Sequence, residues 1–211
     1  MLQLLRTIRN DLASKANRRY GASTPRALAK VLLADGTFAM VVYRLMQAAH
    51  RQRLGPLAMI FNKINVLFGG CIIGRGADFG EGFVLLHSTG TVINSGVRGG
   101  RNIFLEHQVT IGTDEGESPV LGDEVYVGAG AKILGTVRVG SGVRVGANAV
   151  VVHDVPDGST VVGIPARVVR RREPEGPRSV RAVTPGESDS TGQPEESPGC
   201  ATDELPLSRL G

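Results

Sequence analysis

Aliphatic side chains recur every six residues through the centre of the chain, and this period limits what the chain can fold into. Steps of six from residue 73 meet Ile, Val, Leu or Phe at all but one position, with one step skipped before residue 121. A period of six fits neither a helix, with 3.6 residues per turn, nor a simple alternating strand. It predicts short strands joined by tight corners, three strands to a coil of about 18 residues, and coils stacked as a parallel β-solenoid. The series comprises Ile73, Phe79, Leu85, Thr91, Val97, Ile103, Val109, Leu121, Val127, Ile133, Val139, Val145 and Val151.

A second six-residue series supports the same interpretation. Its members are small or β-branched, as crowded corners require. Glycine, which adopts corner conformations with positive φ, is 29 of the 211 residues, about twice the usual share of roughly 7%. The second series comprises Val125, Ala131, Val137, Val143, Ala149 and Val155.

The skipped step falls on a polar, acidic segment, GTDEGESP at residues 112–119. We expect it to form a loop that leaves the coil. Loops on rigid scaffolds often carry function, so this one is a candidate part of a site. A tolerated insertion is the alternative.

Residues 1–68 have the apolar spacing of helices. Thr24-Pro25 is a helix start signal, a capping hydroxyl followed by proline, and Asp35-Gly36 is a stop signal. Further apolar stripes cover residues 37–53 and 57–68. The sequence therefore predicts an α-helical N-terminal segment ahead of the coils.

Most of the positive charge lies in this helical segment, since residues 1–63 hold 11 basic and 2 acidic side chains. The basic residues alternate with apolar stripes, and few aromatic residues that could stack on bases accompany them. This pattern indicates solvated helix faces and no nucleic-acid partner. Contact of an amphipathic helix with a membrane surface is the lesser alternative.

The remaining composition excludes several classes of protein. The longest apolar runs are too short to cross a bilayer, and the first 15 residues lack the pattern of a signal peptide. Two cysteines, Cys71 and Cys200, provide neither a disulfide framework nor a CxxC metal motif. We expect a reduced, cytoplasmic protein.

The last part of the chain, residues 171–211, is rich in Pro, Ser and Glu and has no aromatic residue. Such a composition cannot bury a core, which predicts a disordered tail. The predicted fold class is thus mainly β, with an α-helical segment over residues 1–68, a β-helix domain over 69–170 and a disordered tail over 171–211.

Five segments of the chain resemble the serine O-acetyltransferase family of hexapeptide-repeat acyltransferases: LLHSTGTVI, VTIG, VYVGAGAKILG, VRVGANAVVV and VVGIPARVV. The resemblance covers residues 70–170 and extends weakly into the helices from about residue 30. It implies a left-handed parallel β-helix, acetyl-CoA as the donor, and a homotrimer or dimer of trimers. It also implies that acetyl-CoA lies in the groove between neighbouring subunits.

The transfer of an acetyl group to an alcohol needs a base, because an alcohol is a weak nucleophile at neutral pH. His87 aligns with the catalytic histidine of the family, and the resemblance implies that it is this base. His107, in the sequence LEHQ, follows 20 residues later and is a weaker candidate for a substrate-side role.

Metal binding is the competing use of histidine on such a scaffold. Zinc hydratases resembling γ-class carbonic anhydrase need three histidines, two of them close in sequence. Here the four histidines lie 20 or more residues apart. We therefore expect no metal.

The resemblance also implies residues for the donor. Gly112 and Thr113 would lie beside the thioester, while Ala129 and Ala147 would stack in successive coils and admit the pantetheine arm. Arg144 and Arg167 are candidates for the phosphates of CoA. For Arg144, a solvated corner is the alternative.

Two positions depart from the family. The carboxylate that orients the catalytic histidine is replaced by Ile72, and a histidine that helps hold serine is replaced by Ser118. Asp78, Glu81 and Glu106 are candidates to replace the missing carboxylate.

These observations predict a CoA-dependent O-acetyltransferase with a small hydroxyl compound as acceptor. The two departures slightly favour a sugar or polysaccharide precursor over L-serine, which is the alternative. A catalytically inactive β-helix scaffold is the alternative of another class.

Overall fold

A computed structural model describes residues 2–113 and 115–171 of the chain. Four helices come first, and a stack of short parallel strands follows. The predicted tail lies outside the described residues from residue 172 onward, and the division of the chain into domains stays a prediction. Within the described ranges, no helix is both long and apolar enough to cross a membrane. The helices are α1 (Leu2–Tyr20), α2 (Pro25–Leu32), α3 (Thr37–Arg51) and α4 (Gly55–Phe68).

The helix boundaries follow the predicted start and stop signals. The Thr24 side chain accepts a hydrogen bond from the Ala27 N–H at 3.3 Å, which caps α2 ahead of its first proline. Gly36 turns the chain into α3 with a φ of 74°. Helix α3 ends at Arg51, two residues before the predicted end, because Arg53 adopts a φ of 59° that no helix continues.

The strands form three faces of a triangular solenoid with about four coils. Within each face, equivalent strands of successive coils pair in parallel, except for an antiparallel last pair on face 3. Face 1 holds β1 (Ile72–Ile73), β4 (Val92–Ile93), β7 (Thr110–Gly112), β10 (Lys132–Leu134) and β13 (Val150–Val151). Face 2 holds β2 (Asp78–Phe79), β5 (Arg98–Gly99), β8 (Val120–Leu121) and β11 (Arg138–Val139). Face 3 holds β3 (Val84–Leu85), β6 (Phe104–Leu105), β9 (Tyr126–Val127), β12 (Arg144–Val145), β14 (Ser159–Val162) and β15 (Arg167–Arg171).

The six-residue period is confirmed, but its register differs from the predicted one between residues 86 and 119. Two extra residues in the corner after Leu85 move the inward strand positions to Ile93 and its successors. The predicted positions from Thr91 to Val109 are buried at corners instead of on strands. The loop after Gly112 adds four more residues and returns the series to strand positions at Leu121. Because the two insertions together equal one period, the sequence shows only a single skipped step.

A buried ion pair fastens the helices to the first coil. The Arg44 guanidinium on α3 contacts the Asp11 carboxylate on α1 at 2.6 and 3.1 Å, and both side chains are 2% exposed. Arg44 also donates to the carbonyls of Phe79 and Gly80, and Asp11 accepts from the backbone of Gly82 at 2.8 Å. Each charge is thereby paired and hydrogen-bonded, which is the condition for burying it.

A second buried cation lies one helical turn further along α1. The Lys15 ammonium donates to the Leu85 carbonyl at 2.7 Å and to the Asp35 carbonyl, and the side chain has no exposed surface. Desolvation lowers the pKa of Lys15 to about 8, with a further lowering by Arg19 and an opposing effect of the Asp35 charge.

We expect Asp11→Asn to destabilise the protein by about 3–5 kcal/mol, because it leaves the Arg44 charge buried without its partner. The matched control is Arg51→Ala, which breaks the Arg51–Asp78 pair, also 2.6 Å long but with side chains 58% and 46% exposed. That change should cost less than about 1 kcal/mol. Urea unfolding at one fixed protein concentration measures both, and equal losses would contradict the assigned role of the buried pair.

Lys15 should make stability depend on pH in the alkaline range. The folded protein lowers the pKa of Lys15 below its ordinary value of 10.5, so the unfolded chain binds more protons between pH 8 and 10.5. The free energy of unfolding therefore gains from Lys15 as the pH rises, by up to about 3 kcal/mol. The measurement is the difference in the free energy of unfolding between wild type and Lys15→Met across this pH range. The difference isolates Lys15, because the other groups titrate in both proteins. A difference that does not change with pH would show that the Lys15 pKa is not lowered.

Candidate active site

Four of the predicted site residues lie at one corner of the solenoid, where face 3 turns into face 1. His87 lies at this corner in the first coil, and His107, Ala129 and Ala147 follow one above another in the next three. Backbone hydrogen bonds of 2.9 and 2.8 Å join the carbonyls of His107 and Ala129 to the coil above. The rings of His87 and His107 are 6.1 Å apart, edge to face. The two small alanines leave the upper part of this corner open.

The His87 ring is held by a carboxylate from the helical segment. Its Nδ1 lies 3.2 Å from Oδ2 of Asp35, which follows α2 in the turn before α3. Both side chains are accessible, at 43% and 78% exposed. An exposed pair of this kind contributes little to stability, so its effect is on the orientation of the ring.

Local structure explains how the two side chains meet. The two extra residues of the first coil widen the corner at His87 relative to the regular corner at His107. On the helical side, Gly36 lies directly against the first coil, since a Cβ at that position would be 2.5 Å from the Leu85 carbonyl oxygen. Only glycine allows this approach together with a positive φ. The turn therefore places Asp35 beside the strand that precedes His87.

A cavity of about 390 Å³ opens at this pair. Asp35, His87, Ser88 and Thr89 supply its polar side chains. Its apolar wall comes from the ends of the helices and includes Leu32, Leu33, Phe38, Ala39 and Phe68. The cavity is thus a concave site with one carboxylate, one imidazole and two hydroxyls.

The predicted substitutes for the orienting carboxylate are wrong. Asp78 accepts hydrogen bonds from Gln47 and Arg51, Glu81 accepts one from Asn10, and Glu106 accepts one from Tyr126. Each of the three is therefore engaged away from His87. Asp35 holds the ring instead, although its Asp-Gly sequence predicts only a helix stop.

Three other predicted residues lie at a different corner, where face 1 turns into face 2. Gly112 ends β7 against Asn94, whose side chain donates to the Thr113 carbonyl at 2.6 Å. Ser118 ends the loop beside Gly96 of the coil below. The loop is thus anchored at both ends to that coil.

Within one chain these residues lie across face 1 from the histidine corner. His107 and Thr113 are six residues apart, and extended β7 lies between them. The structure of a single chain therefore does not bring Gly112, Thr113 or Ser118 to His87.

The two predicted phosphate-binding arginines are exposed on face 3. The Arg144 guanidinium lies 5.0 Å from the centre of the Tyr126 ring, and Arg18 from α1 lies on the same ring at 4.9 Å. Arg144 is three residues before Ala147, close to the upper part of the histidine corner. Arg167 begins β15 and donates to the neighbouring Ala166 carbonyl at 3.1 Å.

Other reactive groups are less suited to catalysis. Burial raises the pKa of the Cys71 thiol to about 12, which removes the thiolate at neutral pH. Across residues 2–113 and 115–171, His, Cys, Asp and Glu side chains form no group of three or more that could hold a metal ion.

Known proteins resemble this chain in sequence and in fold. The family described as bacterial transferase hexapeptide (six repeats) matches residues 118–153. A serine acetyltransferase of Helicobacter pylori (strain J99 / ATCC 700824) is 39% identical over 145 residues, 67% of this chain and 85% of the relative. A crystal structure of the Neisseria gonorrhoeae serine acetyltransferase in complex with serine has a TM-score of 0.72 and 34% identity, covering 79% of this chain and 69% of that one. A structure of a serine acetyltransferase in complex with CoA has a TM-score of 0.71 and 29% identity, covering 79% and 70%.

The fold and the site define a hexapeptide-repeat acyltransferase with a left-handed parallel β-helix. Within that class, the chain belongs to the serine acetyltransferase family, as the extent of its likeness to the Helicobacter pylori enzyme shows. The predicted resemblance and fold class are confirmed.

Proposed function

We propose that this acyltransferase moves the acetyl group of acetyl-CoA to the hydroxyl of L-serine, with His87 as the general base. The observation that carries the proposal is the contact of 3.2 Å between His87 Nδ1 and the Asp35 carboxylate at the mouth of a cavity. A histidine oriented by a carboxylate is the arrangement that general-base catalysis on an alcohol requires.

An ionised carboxylate can only accept hydrogen bonds, and this chemistry assigns the proton positions. Because Asp35 accepts from Nδ1–H, the neutral imidazole leaves Nε2 unprotonated and able to take the proton of the serine hydroxyl. The hydroxyl oxygen then bonds to the thioester carbon and forms a tetrahedral intermediate. When the C–S bond breaks, the proton on Nε2 passes to the departing sulfur of CoA. The products are O-acetyl-L-serine and CoA with its free thiol.

The carboxylate of Asp35 also bears on the choice of acceptor. It places a negative charge in the cavity wall, which favours an acceptor with an ammonium group over a neutral sugar. The preference for a sugar acceptor rested partly on Ile72, the position without its carboxylate. Since Asp35 supplies a carboxylate from another element, Ile72 no longer argues against serine.

The comparisons favour L-serine in the same way. The Helicobacter pylori relative is named a serine acetyltransferase, and the Neisseria gonorrhoeae structure contains serine. The sugar preference of the sequence analysis finds no support among these proteins. The cavity of about 390 Å³ is large enough for an amino acid of this size.

For the donor, we propose that the two corners of the solenoid meet across a subunit boundary. Gly112, Thr113 and the loop of one chain would then face His87 of the next, with CoA along the groove past Ala129 and Ala147. Arg144 and Arg167 would serve the phosphates of CoA from the exposed face 3. The separation of the two corners within a single chain supports this placement.

His87→Ala should lower turnover by roughly 10²–10⁴-fold with the fold intact, because the serine hydroxyl loses its base. The assay follows thiol release from acetyl-CoA with L-serine, homoserine, common sugars and nucleotide sugars as acceptors. His153→Ala is the matched control, since His153 is exposed beyond β13 and away from the cavity. It should keep turnover within about twofold.

Each outcome of this assay decides between functions. His87-dependent turnover that is fastest with L-serine supports the proposal, and faster turnover with a sugar overturns the acceptor. Turnover that survives His87→Ala overturns the base. If CoA does not bind by calorimetry and no acceptor reacts, the chain is an inactive scaffold.

The proposed arrangement of subunits predicts that activity depends on assembly. Sedimentation equilibrium of the full chain should give a mass that is a multiple of three times 22.2 kDa, since a closed trimer presents three equivalent grooves. A monomer that is fully active would overturn the shared site, because its two corners lie apart.

A further inference from the structure

The Lys15 ammonium is a buried charge that the proposed chemistry does not use. We propose that Lys15 is a positioning residue for the acetyl transfer: it clamps the Asp35 turn to strand β3 and so keeps the Asp35 carboxylate on His87. This inference rests on the proposed function only where it concerns turnover. The clamp itself consists of the contacts of Lys15 with Asp35 and Leu85, which do not depend on that function.

The contacts of Lys15 join the two backbone segments that carry the pair. One N–H donates to the carbonyl of Asp35 itself, and another donates at 2.7 Å to the carbonyl of Leu85, two residues before His87. The Met40 sulfur at 3.9 Å fills the remaining side. One ammonium thus holds the backbone at Asp35 and the backbone just before His87, while the Asp35 and His87 side chains contact each other.

Docking of the helices does not depend on Lys15 alone. The Asp11–Arg44 pair already ties α1 and α3 to the corner between β2 and β3, with both charges compensated. Lys15 has only carbonyl oxygens and a sulfur as direct contacts in the described part of the chain. A buried ammonium without a carboxylate in direct contact is costly, and an apolar side chain would fill the same space at lower cost.

The place in the fold where the Lys15 ammonium is buried indicates its role. The turn at Asp35 is a short connection between α2 and α3, and the Asp35 side chain is largely exposed. Solvent would screen the pair and let the carboxylate leave the ring if the backbone were free to move. Two hydrogen bonds from one buried group remove that freedom, which is how supporting residues hold a catalytic geometry.

The test is a double-mutant cycle measured as kcat with L-serine at pH 7, where Lys15 is protonated. Asp35→Asn alone should lower kcat by roughly 10–100-fold, because the neutral amide can donate to the ring as well as accept from it and so no longer fixes one tautomer. In a Lys15→Met background, Asp35→Asn should lower kcat less than about threefold, because the carboxylate is already displaced from the ring. In the control background Asp11→Asn, which weakens the other link of the same helix, Asp35→Asn should keep its full effect.

A second measurement does not depend on activity. In crystal structures of the full-length variants, Lys15→Met should separate His87 Nδ1 from the Asp35 carboxylate beyond 4 Å, and Asp11→Asn should leave them in contact. A contact that persists in Lys15→Met, or an unchanged cost of Asp35→Asn in that background, overturns the positioning role. A lost contact in a protein without His87-dependent turnover would overturn the proposed function and leave the clamp standing.

Discussion

The stacking of aliphatic side chains inside the coils is the constraint on which the rest of the structure depends. Along face 1, five side chains lie directly above one another, and none is more than 1% exposed: Ile73, Ile93, Ile111, Ile133 and Val151. Since packed interiors tolerate neither gaps nor extra volume, strand positions cannot gain or lose a residue. Insertions are therefore confined to corners. Of the candidate site residues, His87 lies at one of the two longest corners, and Thr113 and Ser118 lie at the other, after Gly112.

The helical segment completes the site because its docking is polar and specific. Arg44 and Lys15 each donate to backbone carbonyls of the first coil, which fixes the position of the helices as well as their contact. An apolar interface alone would allow small sliding movements. With these bonds in place, the turn at Asp35 reaches the ring of His87, which lies 52 residues further along the chain. Two segments with different folds thereby contribute one side chain each to a single pair.

The sequence predicts the solenoid well because its signal is repeated in every coil. The helix cap at Thr24 and the corner series from Val125 to Val155 are likewise confirmed. The shifted register between residues 86 and 119 was not predictable from the period, because insertions of two and four residues restore the frame. Asp35 was missed for another reason. Asp-Gly is a strong local stop signal, whereas its contact with His87 depends on how α1 and α3 dock.

A comparison of His87 with His107 shows the effect of the two extra residues in the corner after Leu85. His107 lies on a regular corner, in register with Ala129 above it, and no acidic partner of its ring is found in the described part of the chain. His87 lies on the widened corner, from which its ring reaches the helical turn. The ring centres are 6.1 Å apart, yet His87 lines the cavity of about 390 Å³ and His107 does not. The carboxylate distinguishes them further, because it accepts from one ring nitrogen of His87 and leaves the opposite nitrogen free to accept a proton. The contact between His87 and a carboxylate therefore depends on a break in the repeat together with a side chain from outside it.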